Sequence, residues 1–545
     1  MPLPGRRIAG AVAGLISAGV ALGVAELVAA SIGASRASPV VAVGGSVIDA
    51  TPRWLKEWAI RSFGTNDKAV LIGSVLAVLV LLALLTGIWA VRNRRIGLAG
   101  VAVLGAVGAL AAVTRPGASL VHAAPSLVGG AVGATALLLL LRPLRDSVVP
   151  RASPAVTEPR PAVTEPRRAG SAMRDRVAGY LGSTDRNGAS YDRRAFLLTS
   201  LGAVAVGTVA GAAGRSAINK RLEVGASRSA IVLPVPASPA APLPPGTDLK
   251  VPGLSSFRTS NLDFYRIDTA LLVPQLSAKD WRLRVHGMVD REIELDYETL
   301  LSRGLVERDI TLTCVSNEVG GSLVGSARWL GAPLADLLRE AGVHPDADQI
   351  LSRSEDGMTI GTPTAVVMDG RDALLAVGMN GEPLPVRHGF PVRMVVPGLY
   401  GYVSATKWLV ELELTRFADT AAYWVERGWA ERGPIKTMTR IDTPGAFDQL
   451  SAGRVAVAGV AWAQHRGIER VEVRVDGGPW EEARLAPVPS TDTWRQWVFA
   501  WDATPGEHVL EARATDPSGK PQTEDEAEPF PSGATGWPET QVLVV

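Results

Sequence analysis

The sequence predicts a multidomain chain with transmembrane α-helices at its N-terminus, a soluble α+β domain in the middle and a β-sandwich at its C-terminus. Three observations predict it. Near-continuous apolar stretches crowd the part before Gly214. From Gly253 to about Phe417, short strand-like runs alternate with short amphipathic helices. From about Thr437, strand runs recur at sandwich spacing. A chain of 545 residues is long enough for several domains, and an apolar fraction of 47% with positive mean hydropathy points to lipid for part of it.

Five stretches have about the 17 to 25 residues of a bilayer-spanning helix: Ile8 to Gly33, Ala69 to Val91, Ile96 to Val113, Leu120 to Leu141 and Phe196 to Ala213. Residues 1–145 therefore read as a four-helix membrane region. Arg6 and Arg7, Arg92 to Arg95, and Arg142 with Arg145 fall on one side if the N-terminus is cytoplasmic. Five spans then place everything after Gly214 on the extracytoplasmic side of a cell membrane, in contact with lipid only through the helices. Glu26, inside the first span, is a functional carboxylate or one that faces another helix.

Residues 146–192 read as a cytoplasmic Pro/Arg linker, because Pro-Ala-Val-Thr-Glu-Pro-Arg at 154–160 repeats at 161–167 and paired prolines forbid a helix. Residues 193–214 combine the fifth span with Arg193-Arg194-Ala195-Phe196-Leu197, which resembles a twin-arginine export signal and equally fits a positive-inside flank. A second Pro-rich linker is expected over 215–252. The α+β domain follows over 253–420, on a mixed sheet with a strand at Trp281 to His286 and a helix at Pro333 to Ala341. The sandwich follows over 435–545, with strands at Val455 to Ala461, Arg470 to Val475, Trp494 to Trp501, His508 to Thr515 and Gln541 to Val545, and a turn at Asp476-Gly477-Gly478.

Several functions are excluded. A net charge of +1, without a P-loop or dinucleotide fingerprint, gives no reason to expect nucleic acid. Of six histidines only His122 is near a span, so this chain alone does not supply paired ligands for a transmembrane haem, and no haem is expected. One cysteine rules out an intrachain disulfide or a cysteine-ligated iron–sulfur cluster. That cysteine, Cys314, ends a strand-like run and enters the loop Val315 to Ser326, rich in Asn, Gly and Ser, where backbone can approach a ligand closely. It is either a metal ligand or a buried small hydrophobe.

The surrounding motifs resemble the sulfite oxidase family of molybdopterin enzymes. They are Leu312-Thr313-Cys314-Val315-Ser316-Asn317, Ala327-Arg328-Trp329-Leu330-Gly331, Met379-Asn380-Gly381-Glu382-Pro383-Leu384-Pro385, His388-Gly389-Phe390-Pro391-Val392-Arg393, Val396-Pro397-Gly398-Leu399-Tyr400-Gly401 and Lys407-Trp408. In the C-terminal domain, Gly459-Val460-Ala461-Trp462, Arg470-Val471-Glu472-Val473 and Asp476-Gly477-Gly478 resemble that family's immunoglobulin-like dimerisation domain. The resemblance runs in order from Phe257 to Val545 and leaves out the membrane half.

It implies an α+β molybdopterin domain holding molybdenum through a pterin dithiolene and the Cys314 thiolate, a soft donor suited to such a site. It also implies that His388 and Arg393 face the pterin, that Ser404, Thr406 and Lys407 close on its phosphate, and that Asn261, Tyr265 and Arg266 bind it from an N-terminal segment. Of the arginines and the tyrosine around the metal in sulfite-oxidising members, Arg495 matches one. Val319 and Asp268 stand where two arginines are expected, with Arg266 as a substitute for the latter, and Met358 or Thr359 stands where the tyrosine falls. Cys314, Arg495 and Arg266 are thus the expected catalytic residues. The implied activity is two-electron oxygen-atom transfer on a small, sulfur-containing substrate. Reduction of S-oxides or N-oxides, such as methionine sulfoxide repair, competes with sulfite oxidation, and a non-catalytic cofactor-binding scaffold is the reading from another class. Expected partners are a quinone or a separate electron-carrier protein, and a second copy joined through the sandwich.

Overall fold

The structure is a computed structural model and describes residues 4–32, 37–52, 55, 58, 62–63, 67–115, 118–144, 193–221 and 224–545. The chain divides into two compact units, Met1–Arg221 and Leu222–Val545. The linker with its two heptapeptide repeats, and the Tyr191-Asp192 that open the twin-arginine-like segment, lie outside the described residues.

In the first unit the helices are α1 (Pro4–Ser31), α2 (Pro39–Ala50), α3 (Asp67–Arg92), α4 (Arg94–Val113), α5 (Ala124–Leu141) and α6 (Arg193–Arg221). Among the described residues, five helical segments are long and apolar enough to cross a bilayer: Gly5–Ser31, Val70–Arg92, Arg94–Val113, Leu120–Leu144 and Arg194–Gly214. They match the five apolar stretches. The α2 helix is a difference from the sequence reading, which places no helix between the first two apolar stretches. Its 12 residues rise about 18 Å, short of the roughly 30 Å hydrocarbon core. Small residues let the helices meet backbone to backbone, since a Cβ on Gly14 would collide with Ala83 O and one on Gly87 with Gly10 O. The Glu26 carboxylate accepts a hydrogen bond from Ser38 Oγ at the start of α2.

The second unit opens with α7 (Val224–Ser229), whose Val224 is fully buried in the domain core. The Pro-rich segment after it is not a free spacer. Prolines remove donors from it and keep it from forming a helix or strand of its own, and several of its amides and carbonyls bond to the domain. Ala237 N donates to Leu305 O (2.8 Å), Leu249 N to Gln496 Oε1 (2.5 Å), and Arg328 Nη2 to Ala241 O (3.4 Å).

The α+β domain contains β1 (Arg282–Gly287), β2 (Ile293–Asp296), α8 (Tyr297–Ser302), β3 (Val306–Thr313), β4 (Val324–Pro333), α9 (Leu334–Ala341), β5 (Gln349–Ser354), β6 (Thr359–Pro363), β7 (Leu374–Met379), β8 (Glu382–Pro383), β9 (Arg393–Val395) and β10 (Leu409–Thr415). Two sheets form where the sequence suggests one. The first has the order β2-β1-β10-β5-β6, with β1 parallel to β10 and the other pairs antiparallel. The second is β3-β4-β7-β8, with β9 beside β7, and is antiparallel throughout. One core joins them, with Trp281, Leu283 and Leu412 from the first and Trp329, Leu375 and Val377 from the second, all fully buried. Burial of such side chains contributes about 1.5–3 kcal/mol each.

The C-terminal region contains β11 (Met438–Thr443), β12 (Gln449–Leu450), β13 (Gly453–Trp462), β14 (Arg470–Val475), β15 (Glu481–Glu482), β16 (Arg484–Leu485), β17 (Arg495–Ala503), β18 (Gly506–Thr515) and β19 (Glu539–Val544). They make two sheets, β11-β13-β17-β16 and β12-β19-β18-β14-β15. Val457, Trp497 and Trp501 from one, and Val471, Val473 and Leu510 from the other, share a core. Asp476 and Gly477 both adopt positive φ (50° and 66°) and Gly478 N donates to Val475 O (2.9 Å), a tight turn within the predicted Asp476-Gly477-Gly478, after which β15 pairs back onto β14. The short strands β12, β15 and β16 and the strand β11 carry too little alternation to be read from sequence.

Candidate active site

The site is built at the end of β3. Pairing of β3 with β4, from Val306↔Gly331 to Thr313↔Val324, ends one residue before Cys314 and frees its loop. The loop is fixed by its own backbone and one amide. Cys314 N donates to Leu323 O (2.9 Å), Asn317 N to Cys314 O (3.1 Å), and Leu323 N to Asn317 Oδ1 (2.7 Å). The C-terminal domain braces the strand behind it, where Gln464 Nε2 donates to Thr311 O (3.1 Å) and Thr313 Oγ1 (2.9 Å), and Trp494 N to Thr311 Oγ1 (2.8 Å). The thiol is buried and Sγ accepts from Ser316 N at 3.4 Å. Burial pushes its pKa up, and the Ser316 donor and the Lys407 charge oppose that.

Tyr265, Lys407 and Tyr400 lie close enough to Cys314 for charge on one to act on the other, and Arg393 neighbours Tyr265. Burial, then the neighbouring thiol, pushes the Tyr265 phenol up, while Arg393 pulls it down. The Tyr400 phenol is pushed up to about 12, chiefly by burial. Arg393 is 5% exposed, and its guanidinium lies over the Trp329 ring at 5.0 Å. Its Nη1 donates to His388 O (3.1 Å) and Nη2 reaches Ala405 O at 3.5 Å, while Nε is buried with no hydrogen-bond partner. No carboxylate pairs with Arg393 among the described residues, and burial brings its pKa down to about 10. Gly389, at φ 111°, lets this happen, because a Cβ there would stand 3.0 Å from Arg393 Cβ and 3.1 Å from Lys407 Cβ.

His388 is 1% exposed, and its Nε2 donates to Asn261 O (2.9 Å). Burial, then the Arg393 charge, brings its pKa down to about 3, so the ring is neutral and Nδ1 is left as an acceptor. The Asn261 side chain lies in the 379–382 turn, with Nδ2 donating to Met379 O (3.2 Å) and Oδ1 accepting from Asn380 Nδ2 (2.9 Å). Asn261 therefore holds His388 and that turn in place.

Three residues expected on a phosphate have protein partners instead. Ser404 Oγ donates to Leu399 O (3.1 Å) and Tyr400 O (3.0 Å). Ser352 gives its proton to Ile360 O (3.1 Å), so Thr406 Oγ1 is the donor in the 2.6 Å bond to Ser352 Oγ. Lys407 Nζ donates to Ile267 O (3.0 Å) and Asp268 Oδ2 (2.8 Å). Arg266 turns to the same carboxylate (Nε–Oδ2 2.7 Å).

Arg495 is a correction. Strand alternation sets Trp494 and Gln496 against the segment 248–257 and turns Arg495 the other way, beside Trp497. Its Nε donates to Ala486 O (2.6 Å) and Nη1 to Ile468 O (2.8 Å), both within the C-terminal domain. A cleft of about 440 Å³ lined in part by Arg258, Glu307 and Arg328 lies on the face of β4 opposite Trp329 and contains none of the expected residues.

The phenols beside Cys314 come from Tyr265 and Tyr400. Tyr400 carries no sequence signal beyond its place in the Pro-Gly-Leu-Tyr-Gly run, whereas Trp329 and Trp408, under Arg393 and Lys407, are visible in their motifs.

Residues 270–424 match the family model described as the oxidoreductase molybdopterin binding domain. An uncharacterized oxidoreductase, YuiH, of Bacillus subtilis is 33% identical over 153 residues, 28% of this chain and 74% of that protein. The chain belongs to the sulfite oxidase type of molybdopterin oxidoreductases. Human mitochondrial sulfite oxidase is 30% identical over 287 residues, covering 44% of this chain and 52% of that protein. This molybdopterin oxidoreductase thus spans about half the length of the sulfite oxidases it matches. Among solved structures it is similar to the sulfane dehydrogenase SoxCD of Paracoccus pantotrophus, with 27% identity and a TM-score of 0.42 over 46% of this chain and 70% of that one.

The donor set fits the family's cofactor. A buried cation without a carboxylate among the described residues, one of its N–H groups unbonded, next to a neutral histidine, is complementary to an anionic group, and the buried Cys314 thiol supplies a soft donor for a metal.

Proposed function

We propose that this chain is a membrane-anchored molybdenum oxidoreductase that transfers an oxygen atom and two electrons to or from a small, sulfur-containing substrate outside the cytoplasm. The observation that supports it most is Arg393, a buried guanidinium with an unbonded Nε and no carboxylate among the described residues, bonded to the carbonyl of His388.

Cys314 would hold the metal. Its burial keeps the free thiol protonated, so a bound cation must displace that proton, and the Ser316 N–H and Lys407 then stabilise the thiolate. Arg393 would neutralise the anionic pterin, His388 would accept through Nδ1, and Tyr265 would donate its phenolic proton. Asn261, Ser404 and Thr406 would act by fixing the turns that present them. The bound cofactor supplies the two-electron redox chemistry. In the reducing direction a sulfoxide takes up two electrons and two protons and gives a thioether and water. In the oxidising direction sulfite takes its oxygen from water and releases two electrons and two protons.

The five apolar helices would anchor the enzyme in the membrane, with the Arg clusters inside, and a quinone or a separate carrier protein would exchange the electrons. The two-sheet C-terminal domain would be the immunoglobulin-like module through which two copies pair.

The test is to purify the full chain from a host that makes the cofactor and measure molybdenum in wild type and Cys314→Ser. Wild type should hold near-stoichiometric metal, and the variant should lose it. Sulfite with an artificial acceptor and sulfoxides with a reduced dye then distinguish the direction. Metal-free wild type, or a Cys314→Ser protein with undiminished molybdenum, refutes the reading.

A further inference from the structure

Two cations near Cys314 are held by one carboxylate. Arg266 Nε and Lys407 Nζ both donate to Asp268 Oδ2, at 2.7 and 2.8 Å. The Asp268 side chain is 1% exposed and that of Lys407 9%. Lys407 also donates to Ile267 O at 3.0 Å, so the 266–268 segment wraps its ammonium. On the other flank, Val315 and Val319 of the cysteine loop pack with Tyr400, Tyr402 and Trp429 in an apolar cluster.

We propose that Asp268 sets the substrate class of this site: by holding both Arg266 and Lys407 it turns away small oxyanions and leaves the site to uncharged sulfoxides and their thioethers. This rests on the reading of Cys314 as the reaction centre. A dianion such as sulfite is bound by charge-assisted hydrogen bonds from cations that can turn toward it. Here an arriving dianion must displace a buried carboxylate from its partners and meets that negative charge as it does so. An uncharged S=O group meets no such barrier.

The probes are inorganic sulfate and dimethyl sulfoxide, measured by titration calorimetry on the cofactor-loaded full chain in detergent. Asp268→Asn should bind sulfate at least about tenfold more tightly than wild type, the effect of one released charge-assisted bond, while dimethyl sulfoxide affinity stays within about twofold. Asp268→Glu, which keeps the charge, should behave as wild type. Equal sulfate affinity in wild type and Asp268→Asn overturns the proposal. Should Asp268→Asn fail to fold, Asp268→Ser decides by the same readout: sulfate binding about tenfold tighter than wild type supports it, and sulfate affinity equal to wild type overturns it. Molybdenum is assayed on the same samples. Its absence from wild type refutes the proposed function, whereas metal present with equal sulfate affinities refutes only the role of Asp268.

Discussion

Replacing Gly389 by alanine tests whether the site depends on the close approach of Arg393 and Lys407. Two costs arise. At φ 111° an L-residue is strained by about 1–2 kcal/mol. The new Cβ also meets Arg393 Cβ at 3.0 Å, Lys407 Cβ at 3.1 Å and Lys407 Cα at 3.2 Å, all on buried residues that cannot turn away. Gly370 supplies the control, since it has φ 100° and an added Cβ there would meet nothing within 4 Å, so alanine at that position carries the backbone strain alone. The strain by itself lowers Tm by about 1.5–3 °C in a unit of this size. Gly370→Ala should show that loss with full molybdenum content. Gly389→Ala should lose more stability and also retain less molybdenum, because Arg393 and Lys407 are pushed from their places. Metal content and melting temperature on the two purified variants are the assay. Equal melting temperatures and equal molybdenum would refute the argument that Gly389 shapes the site.

Two further outcomes follow from the same geometry. His388 has a folded pKa of about 3 against 6.5 unfolded, so between these values the unfolded chain binds more protons and stability falls as pH drops from 6.5 toward 3, by up to roughly 5 kcal/mol. Urea unfolding at a series of pH values should show a shallower acid limb in His388→Asn, and an unchanged limb would contradict the buried neutral ring. Arg495→Met should cost about 2 kcal/mol through the lost bonds to Ala486 O and Ile468 O. It should leave molybdenum content and sulfoxide turnover at wild-type levels, and loss of activity without loss of stability would return Arg495 to the active site.

The helices and the sandwich strands were legible because each carries a pattern that water and lipid enforce. The apolar runs match the five long helices, and β13, β14, β17, β18 and β19 follow their alternation. The α2 helix was not legible, since its 12 residues, mostly apolar but with Ser46 and Asp49 among them, are too few for a span. The Pro-rich strap from 233 was read by composition as a spacer, and composition does not say where its backbone groups find partners. Within the site, motifs pointed to Cys314, His388, Arg393 and Lys407, and the structure bonds Arg393 to the His388 carbonyl and brings the Lys407 charge to bear on Cys314. They did not reveal that Ser404 and Thr406 turn inward, or that Tyr400 lies beside the thiol.

The sequence by itself determined that this chain is a molybdopterin oxidoreductase with one thiol, and which residues carry its motifs, because those motifs are local and ordered along the chain. Only the tertiary structure decided how its charges pair. Asp268 meets Lys407 across 139 residues, and Arg495 turns toward carbonyls 9 and 27 residues away. Whether a buried cation faces a ligand or a carboxylate depends on which distant groups the packed core brings within hydrogen-bond reach, and that is a property of the fold rather than of spacing.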